Sequence, residues 1–325
     1  MKVLVGAYAS VPSDASWDQQ AEQLFYRQLK NNPYIDGLEI PFTGKLHKFD
    51  NDWFYAQLDE RWRYVITCIP GTMGELSKDP HFGIASNNEA GRLKAINFYR
   101  QANQAIKQLN NHFNKPVVTH IQIHSAPTLN AQASSSISAL VKSLQELQNW
   151  DWHGAKLVLE HCDAQRETYP SEKGFMRLED EISALTIANQ HAKHTLGITI
   201  NWGRSAIEAR SADGAIQHME LCIKAGLLTG LIFSGASSQS ALYGSWKDSH
   251  MPPQINTFDQ PINKDSALNE REINRCMQLQ QLANLDFVGC KISILPQQQS
   301  LANRVRYIEE TVAMINHARL SITTK

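Results

Sequence analysis

Short β-branched runs alternate with longer segments of helical period along the whole chain, and polar loops bearing Gly or Pro separate them. Strands are predicted at 2–9, 35–41, 64–69, 117–124, 155–162, 196–202, 228–234 and 287–295. Helices are predicted at about 16–30, 52–58, 88–113, 134–147, 178–191, 213–225, 269–283 and 301–318. Local chemistry sets several of these limits. Ser16 reads as an N-cap, Pro70-Gly71 closes the third strand, and the helix ending near Phe113 stops before Lys115-Pro116 because a residue preceding proline disfavours the helical region.

Strict strand–helix alternation implies parallel pairing, since parallel neighbours need a helical crossover. Eight such units favour closure into a barrel. No G-x-G-x-x-G follows the first strand, which weakens the open dinucleotide-binding alternative. The expected fold is α/β, a single (β/α)₈ TIM barrel over residues 1–325. One connection breaks the pattern: 235–267 carries Tyr243, Trp246, His250 and Pro252-Pro253 and is too long for an ordinary loop of this fold. Its aromatics argue against disorder, and it reads as a lid-like insertion after strand seven.

Composition narrows the partners. Charged residues are 19% of the chain and the formal net charge is -1, with no run of like charges, so a nucleic-acid surface is not expected. The five cysteines are scattered and form no C-x-x-C pair, which argues against a disulfide framework or a structural zinc knuckle. The apolar start at 3–9 is too short for a signal peptide and reads better as a strand. Nothing approaches the roughly 18 apolar residues of a membrane span. A cytoplasmic protein is the default expectation.

Alternation along each strand sorts side chains between the barrel axis and the helices. Ile121 and Ile123 pack outward, leaving His120, Gln122 and His124 on the inward face. Glu39 faces in between Leu38 and Ile40, and Glu160 opposes Leu157 and Leu159. Thr199 and Asn201 share the inward face of strand six, as Lys291 and Ser293 do on strand eight. Most of these lie at the C-terminal ends of their strands, where barrels of this kind place their chemistry. Burying such groups costs several kcal/mol each unless they pair. One reading is a satisfied polar network with Glu39 or Glu160 bonded to Lys291. Five strands converging on one mouth favour a site for a small polar ligand, a sugar or sugar derivative.

At Asp36-Gly37-Leu38-Glu39-Ile40-Pro41 and Leu157-Val158-Leu159-Glu160-His161 the chain resembles the xylose isomerase-like superfamily of sugar isomerases and epimerases. It also resembles a bacterial branch of that superfamily known as domain of unknown function 4862. The resemblance implies a divalent cation (Mg, Mn or Zn) on acidic or histidine ligands at the ends of strands five to eight. It also implies a carboxylate pair that moves a proton beside a sugar carbonyl. Glu160 matches the strand-five position and is the best metal candidate. Strand six offers Asn201, with Arg204 three residues on, strand seven Ser234 and strand eight Lys291. A protonated lysine cannot ligate and arginine does not, so the metal site of the superfamily looks largely lost and no cofactor is expected. The Lys291 ammonium would then supply the missing positive charge and polarise a substrate oxygen. Two other arrangements are a Schiff base on a neutral Lys291 and a cation held by Glu39, His124 and Glu160.

The leading expectation is an enzyme like the sugar isomerases and epimerases, with Glu39, Glu160, Lys291 and His124 as catalytic candidates. Asn201, Arg204, Trp202, His161, Tyr243 and Trp246 are substrate-binding candidates, the aromatics because they can stack on a sugar face. His161 or Asp163 could reach ligand hydroxyls and the two are equally readable as a loop-stabilising pair, while Cys162 and Cys290 read as small hydrophobes. Backbone N–H groups of 234–238 could cradle a phosphate. The alternatives are a glycoside hydrolase using the two carboxylates and a non-catalytic sugar-binding barrel. The expected partner is a small-molecule carbohydrate, with neither nucleic acid nor membrane, and the sequence leaves room for a homo-oligomer.

Overall fold

The structure is a computed structural model that describes residues 3–12, 17–257, 262–280, 283 and 285–323. Eight parallel strands close on themselves in chain order: β1 (Val3–Val5), β2 (Ile35–Pro41), β3 (Arg63–Thr67), β4 (Val118–Ile123), β5 (Lys156–His161), β6 (Gly197–Asn201), β7 (Leu228–Phe233) and β8 (Phe287–Cys290). The seam is made where Val3, Leu4 and Val5 stand beside Val288, Gly289 and Cys290. Around the barrel lie α1 (Gln19–Lys30), α2 (Asn51–Gln57), α3 (Ile69–Leu76), α4 (Glu89–His112), α5 (Ile137–Gln148), α6 (Leu178–Asn189), α7 (Trp202–Ala209), α8 (Asp213–Lys224), α9 (Glu270–Leu279) and α10 (Leu301–Thr323).

Alternation along the strands splits the core in two. Leu38, Ile40, Ile121, Ile123, Leu157, Leu159, Ile198 and Ile200 point outward and merge with the helix faces in one large apolar cluster. Each such side chain contributes roughly 1.5–3 kcal/mol by leaving water. Leu4, Val65, Val158, Ile232 and Phe287 form a separate cluster inside the barrel. Gly230 makes room for the last of these, since a Cβ there would stand 2.4 Å from the Phe287 ring. Below this plug His120 contacts Asp286 at 2.9 Å, and Lys156 reaches the same carboxylate at 2.8 Å. His120 thus completes a hydrogen-bonded layer at the N-terminal end of the barrel.

Several predicted limits move, each for a local reason. The first strand ends at Val5, because Gly6 to Ser10 form a tight turn with Ala7–Ala9 in a 3-10 helix and Ser10 N donating to Ala7 O. Residue 2 and the N-cap candidate Ser16 lie outside the described residues; α1 begins on Asp18, whose carboxylate accepts from Ala21 N. Pro70 does not merely end β3. It sits in the first turn of α3, where its missing N–H is no loss. Trp202 opens a helix instead of closing a strand, because Asn201 Oδ1 caps α7 by accepting from Arg204 N at 3.4 Å. Strand eight is shorter than its apolar run, so Lys291 and Ser293 stand on the loop just past β8.

The long connection from β7 to α9 contains no helix or strand among its described residues. It is held by isolated bridges, Gly235 to Met251 and Ser240 to Gly244, and it turns at Trp246 and His250, which have φ of 50° and 53°.

Candidate active site

The C-terminal mouth of the barrel collects Glu39, His124, Glu160, Asn201, Arg204 and Lys291, all buried. Their positions follow from the strand grammar: inward residues at or next to the ends of β2, β4, β5, β6 and β8, with Arg204 carried one turn into α7. Lys291 Nζ lies 2.9 Å from Glu39 Oε2 and 4.0 Å from Glu160 Oε1. Gly6 permits this approach, for a Cβ there would meet Lys291 Cγ at 3.0 Å and Glu39 Oε2 at 3.1 Å.

Glu160 is fully engaged. Oε1 takes Arg204 at 2.8 Å and the Asn201 amide at 3.3 Å, and Oε2 takes His124 Nε2 at 2.9 Å. Glu39 has one cationic neighbour, and neither of its oxygens has an aligned hydrogen bond within the protein. Lys291 Nζ, His124 Nδ1 and the phenol of Tyr8 are likewise buried without an aligned partner there. The Tyr8 ring stands 5.8 Å from the Lys291 ammonium. Buried polar groups are normally satisfied, so Glu39 Oε1, His124 Nδ1 and the Tyr8 phenol, unmatched beside the Lys291–Glu39 ion pair on one mouth, suit a ligand with several oxygens.

Environment separates the two carboxylates. Burial raises Glu39, and Lys291 only partly offsets it. Burial works on Glu160 too, but Arg204, Lys291 and His124 outweigh it and hold this carboxyl well below its usual range. Burial lowers His124 to about 4, against the pull of Glu160, so its imidazole is neutral at pH 7. Lys291 is pushed upward, because Glu39, Tyr8 and Glu160 overcome its desolvation. A Schiff base needs a neutral amine, and this environment holds the proton on.

The long connection adds two residues that sequence reasoning missed. Asp248 is buried, accepts from Arg204 Nε at 3.2 Å, and lies 2.9 Å from the Lys173 ammonium and 3.2 Å from His250 Nδ1. His250 also meets Ser234 Oγ at 3.3 Å. The available signal was an Asp-Ser-His triplet inside a polar loop too long for its fold, which marks a segment without saying where it docks.

A cavity of about 310 Å³ opens beside Glu39 and Tyr8. Its wall comes from the loops after β1 and β2 and includes Trp17, His47, Phe49 and Phe54. Trp17 stacks on Phe49 at 5.0 Å and 8°. The indole of Trp17 donates to Glu22 Oε2 at 2.7 Å, and His47 meets Glu22 Oε1 at 3.2 Å. A larger cavity of about 910 Å³ lies at the opposite end, beside Lys156 and Leu196, away from these groups.

Four predicted binding residues are elsewhere. Trp202 alternates outward from Asn201 and is buried in the apolar cluster under the helices. Tyr243 is buried, donating to Ser293 O and accepting from Leu295 N, both at 3.1 Å, so it anchors the connection. Trp246 packs against the core with Arg210 5.8 Å above its ring. His161 points outward from β5, with Nδ1 2.6 Å from Glu181 and Nε2 3.0 Å from Glu208. Of the backbone N–H groups at 234–238 expected to cradle a phosphate, that of Gly235 is committed to Met251 O at 2.7 Å. Asp163 is the loop-stabilising residue of its two readings, accepting from Glu172 N and Lys173 N. Cys162 and Cys290 are buried, and burial pushes Cys290 up to about 12.

The mouth does not fit the divalent cation that the superfamily resemblance implies. Glu160 spends both oxygens on Arg204, Asn201 and His124, and two cations, Lys291 and Arg204, stand where ligands are needed. His124 and Glu160 bring ligand atoms to 2.9 Å, but Glu39 does not complete a set of three within 4.8 Å. Among the described residues only His161, Glu208 and His218 place three such atoms within 4.8 Å of one another, and they lie behind β5 in the helix layer.

Comparison with known proteins agrees with this architecture. The profile of the family described as "Domain of unknown function (DUF4862)" matches residues 4–307. The chain is 31% identical over 316 residues to an uncharacterized protein of Salmonella typhimurium, STM3670, covering 97% of each. Among solved structures it is similar in fold to L-ribulose 3-epimerase, with a TM-score of 0.59 at 11% identity over 99% of this chain and 95% of that one. It is also similar to a xylose isomerase domain protein from Planctomyces limnophilus, with a TM-score of 0.58 at 11% identity over 100% and 99%. The fold is that of the xylose isomerase-like TIM barrels.

Proposed function

Since the chain belongs to the DUF4862 family and has the barrel of the xylose isomerase-like sugar isomerases and epimerases, we propose that it moves a proton on a small carbohydrate, at a carbon next to a carbonyl. The observation that carries this reading is the contrast between Glu39 and Glu160 on either side of Lys291. Two carboxyls whose environments push their affinities for a proton apart divide into an acid–base group and a fixed charge. Glu39, raised by burial and facing the cavity, takes the proton-carrying role. Glu160, held anionic by Arg204, Asn201 and His124, is a positioning residue that keeps Lys291 and Arg204 aimed inward.

Proton removal beside a carbonyl builds negative charge on the carbonyl oxygen. A preorganised cation in a water-poor mouth stabilises that charge without rearranging. Lys291, with unaligned N–H groups, suits the task, and the Tyr8 hydroxyl and His124 Nδ1 offer further contacts to sugar oxygens. The aromatic wall of Trp17 and Phe49 suits the apolar face of a sugar or of a group attached to it. Positive charge at the mouth comes from Lys291 and Arg204, both buried there.

Glycoside hydrolysis is the second reading. The two Lys291 contacts keep a Glu39 oxygen and a Glu160 oxygen no more than about 7 Å apart, which does not exceed the upper limit of about 9.5 Å for glycosidase carboxyl pairs. Against it stands Glu160, whose oxygens are both engaged. Incubation with free and phosphorylated aldoses and ketoses and with aryl glycosides, followed by NMR, separates the readings. The proposal expects an isomer or epimer of one sugar. Cleavage of a glycoside with no isomer formed would replace it with hydrolysis.

A further inference from the structure

We propose a second site, independent of the mouth: a divalent transition-metal site, zinc by its ligand chemistry, at His161, Glu208 and His218 in the helix layer behind β5. The three residues come from β5, α7 and α8, and all are buried. Both imidazoles turn Nε2 toward the Glu208 carboxylate, at 3.0 Å for His161 and 3.8 Å for His218. Zinc bonds of about 2.0–2.2 Å in a tetrahedral shell space neighbouring ligand atoms by about 3.3–3.6 Å. The two contacts run to different oxygens of Glu208, Oε2 for His161 and Oε1 for His218, and one ligand atom from each of the three residues lies within 4.8 Å of the others, so the side chains draw together around the ion.

The remaining ring nitrogens support the same assignment. His161 Nδ1 is held by Glu181 at 2.6 Å, and His218 Nδ1 by Ser205 Oγ at 2.9 Å. The far oxygen of Glu181 in turn takes the hydroxyl of Ser125. Metal-ligating histidines almost always have their other nitrogen fixed in this way, by a carboxylate or another oriented oxygen. The two rings stand 4.9 Å apart at 81°, edge to face. Two imidazoles and one carboxylate form a ligand set that zinc accepts readily and magnesium or calcium does not.

Charge and access are also compatible. Glu208 carries its Ala164 N contact at 2.8 Å on Oε2 and an Arg166 contact at 2.5 Å on Oε1. Arg166 is more than a third exposed, so it can withdraw and leave the fourth position to water. Entry of the cation displaces the proton held between His161 Nε2 and Glu208 Oε2, and its two positive charges face the carboxylates of Glu181 and Glu208. Such an ion would tie β5, α7 and α8 together directly behind the strand end that carries Glu160.

The test uses the full chain, stripped by a chelator, dialysed and titrated with cobalt(II) as an optical probe and with zinc by elemental analysis. One equivalent is expected, with the visible bands of four-coordinate cobalt. His218→Ala and the bulkier His218→Gln should both abolish stoichiometric uptake while keeping the far-ultraviolet circular dichroism of the parent. Glu181→Gln should weaken binding by about 10- to 100-fold, and Glu39→Gln at the mouth should leave it unchanged. Absence of stoichiometric uptake by the parent protein, or uptake unaltered in both folded His218 variants, would overturn the assignment.

Discussion

Lys291, just past the end of β8, and Glu39 of β2 meet at 2.9 Å with both side chains sealed from solvent, across β1, which pairs with both strands. The contact brings a cation to the mouth from the strand after which the superfamily pattern leads one to expect a metal ligand. Breaking such a buried pair by removing one partner costs about 3–5 kcal/mol, because the other charge is left uncompensated. Lys291→Met should therefore lower stability by about that amount, and Glu39→Gln combined with it should recover part of the loss. Urea denaturation of the two single variants and the double variant measures this coupling.

Arg204 bridges Glu160 at 2.8 Å and Asp248 at 3.2 Å. Arg204→Lys keeps the charge but cannot span both carboxylates with one planar fork. The expected outcome is a protein that folds with a melting temperature several degrees lower. Limited proteolysis checks the accompanying local effect: cleavage should appear within 234–257, because Asp248 loses one of its anchors.

Gly6 lets Lys291 and Glu39 close up. Gly6→Ala places a methyl 3.0 Å from Lys291 Cγ and 3.1 Å from Glu39 Oε2, and overpacking of this kind costs roughly 1–3 kcal/mol. Turnover should fall more than global stability accounts for. Steady-state kinetics beside a thermal melt separates the two effects.

His124 supplies a pH dependence with a defined sign. Its folded-state value of about 4 lies below the ordinary 6.5, chiefly through burial. The unfolded chain therefore takes up the proton first as pH falls. The stabilisation is present above pH 6.5 and is lost between there and about 4, amounting to about 2 kcal/mol by pH 5. Comparing urea midpoints of the parent and His124→Gln at pH 7 and 5 checks it: the variant should show a shallower acid loss.

The eight-unit barrel was legible because a period of two and a period of 3.6 alternate without interruption, and inward residues could be assigned by opposing them to Ile and Leu. That logic found Glu39, His124, Glu160, Asn201 and Lys291, which do gather at one end. It failed where a side chain's direction depends on where a strand stops. Trp202 and His161 lie next to true mouth residues and so face the other way. Tyr243 and Trp246 were read as ligand contacts because they sit in a long loop, yet their rings serve to pin that loop. Asp248 and the Trp17–Phe49 wall come from loops whose path no periodicity encodes.

The most direct test of the central claim is solvent deuterium incorporation into the sugar that the protein converts, followed by NMR for the parent and for Glu39→Gln. The account predicts exchange at the carbon beside the carbonyl in the parent and a rate about 100- to 10,000-fold lower in the variant. Conversion without any deuterium uptake, or exchange at an unchanged rate in Glu39→Gln, would contradict it.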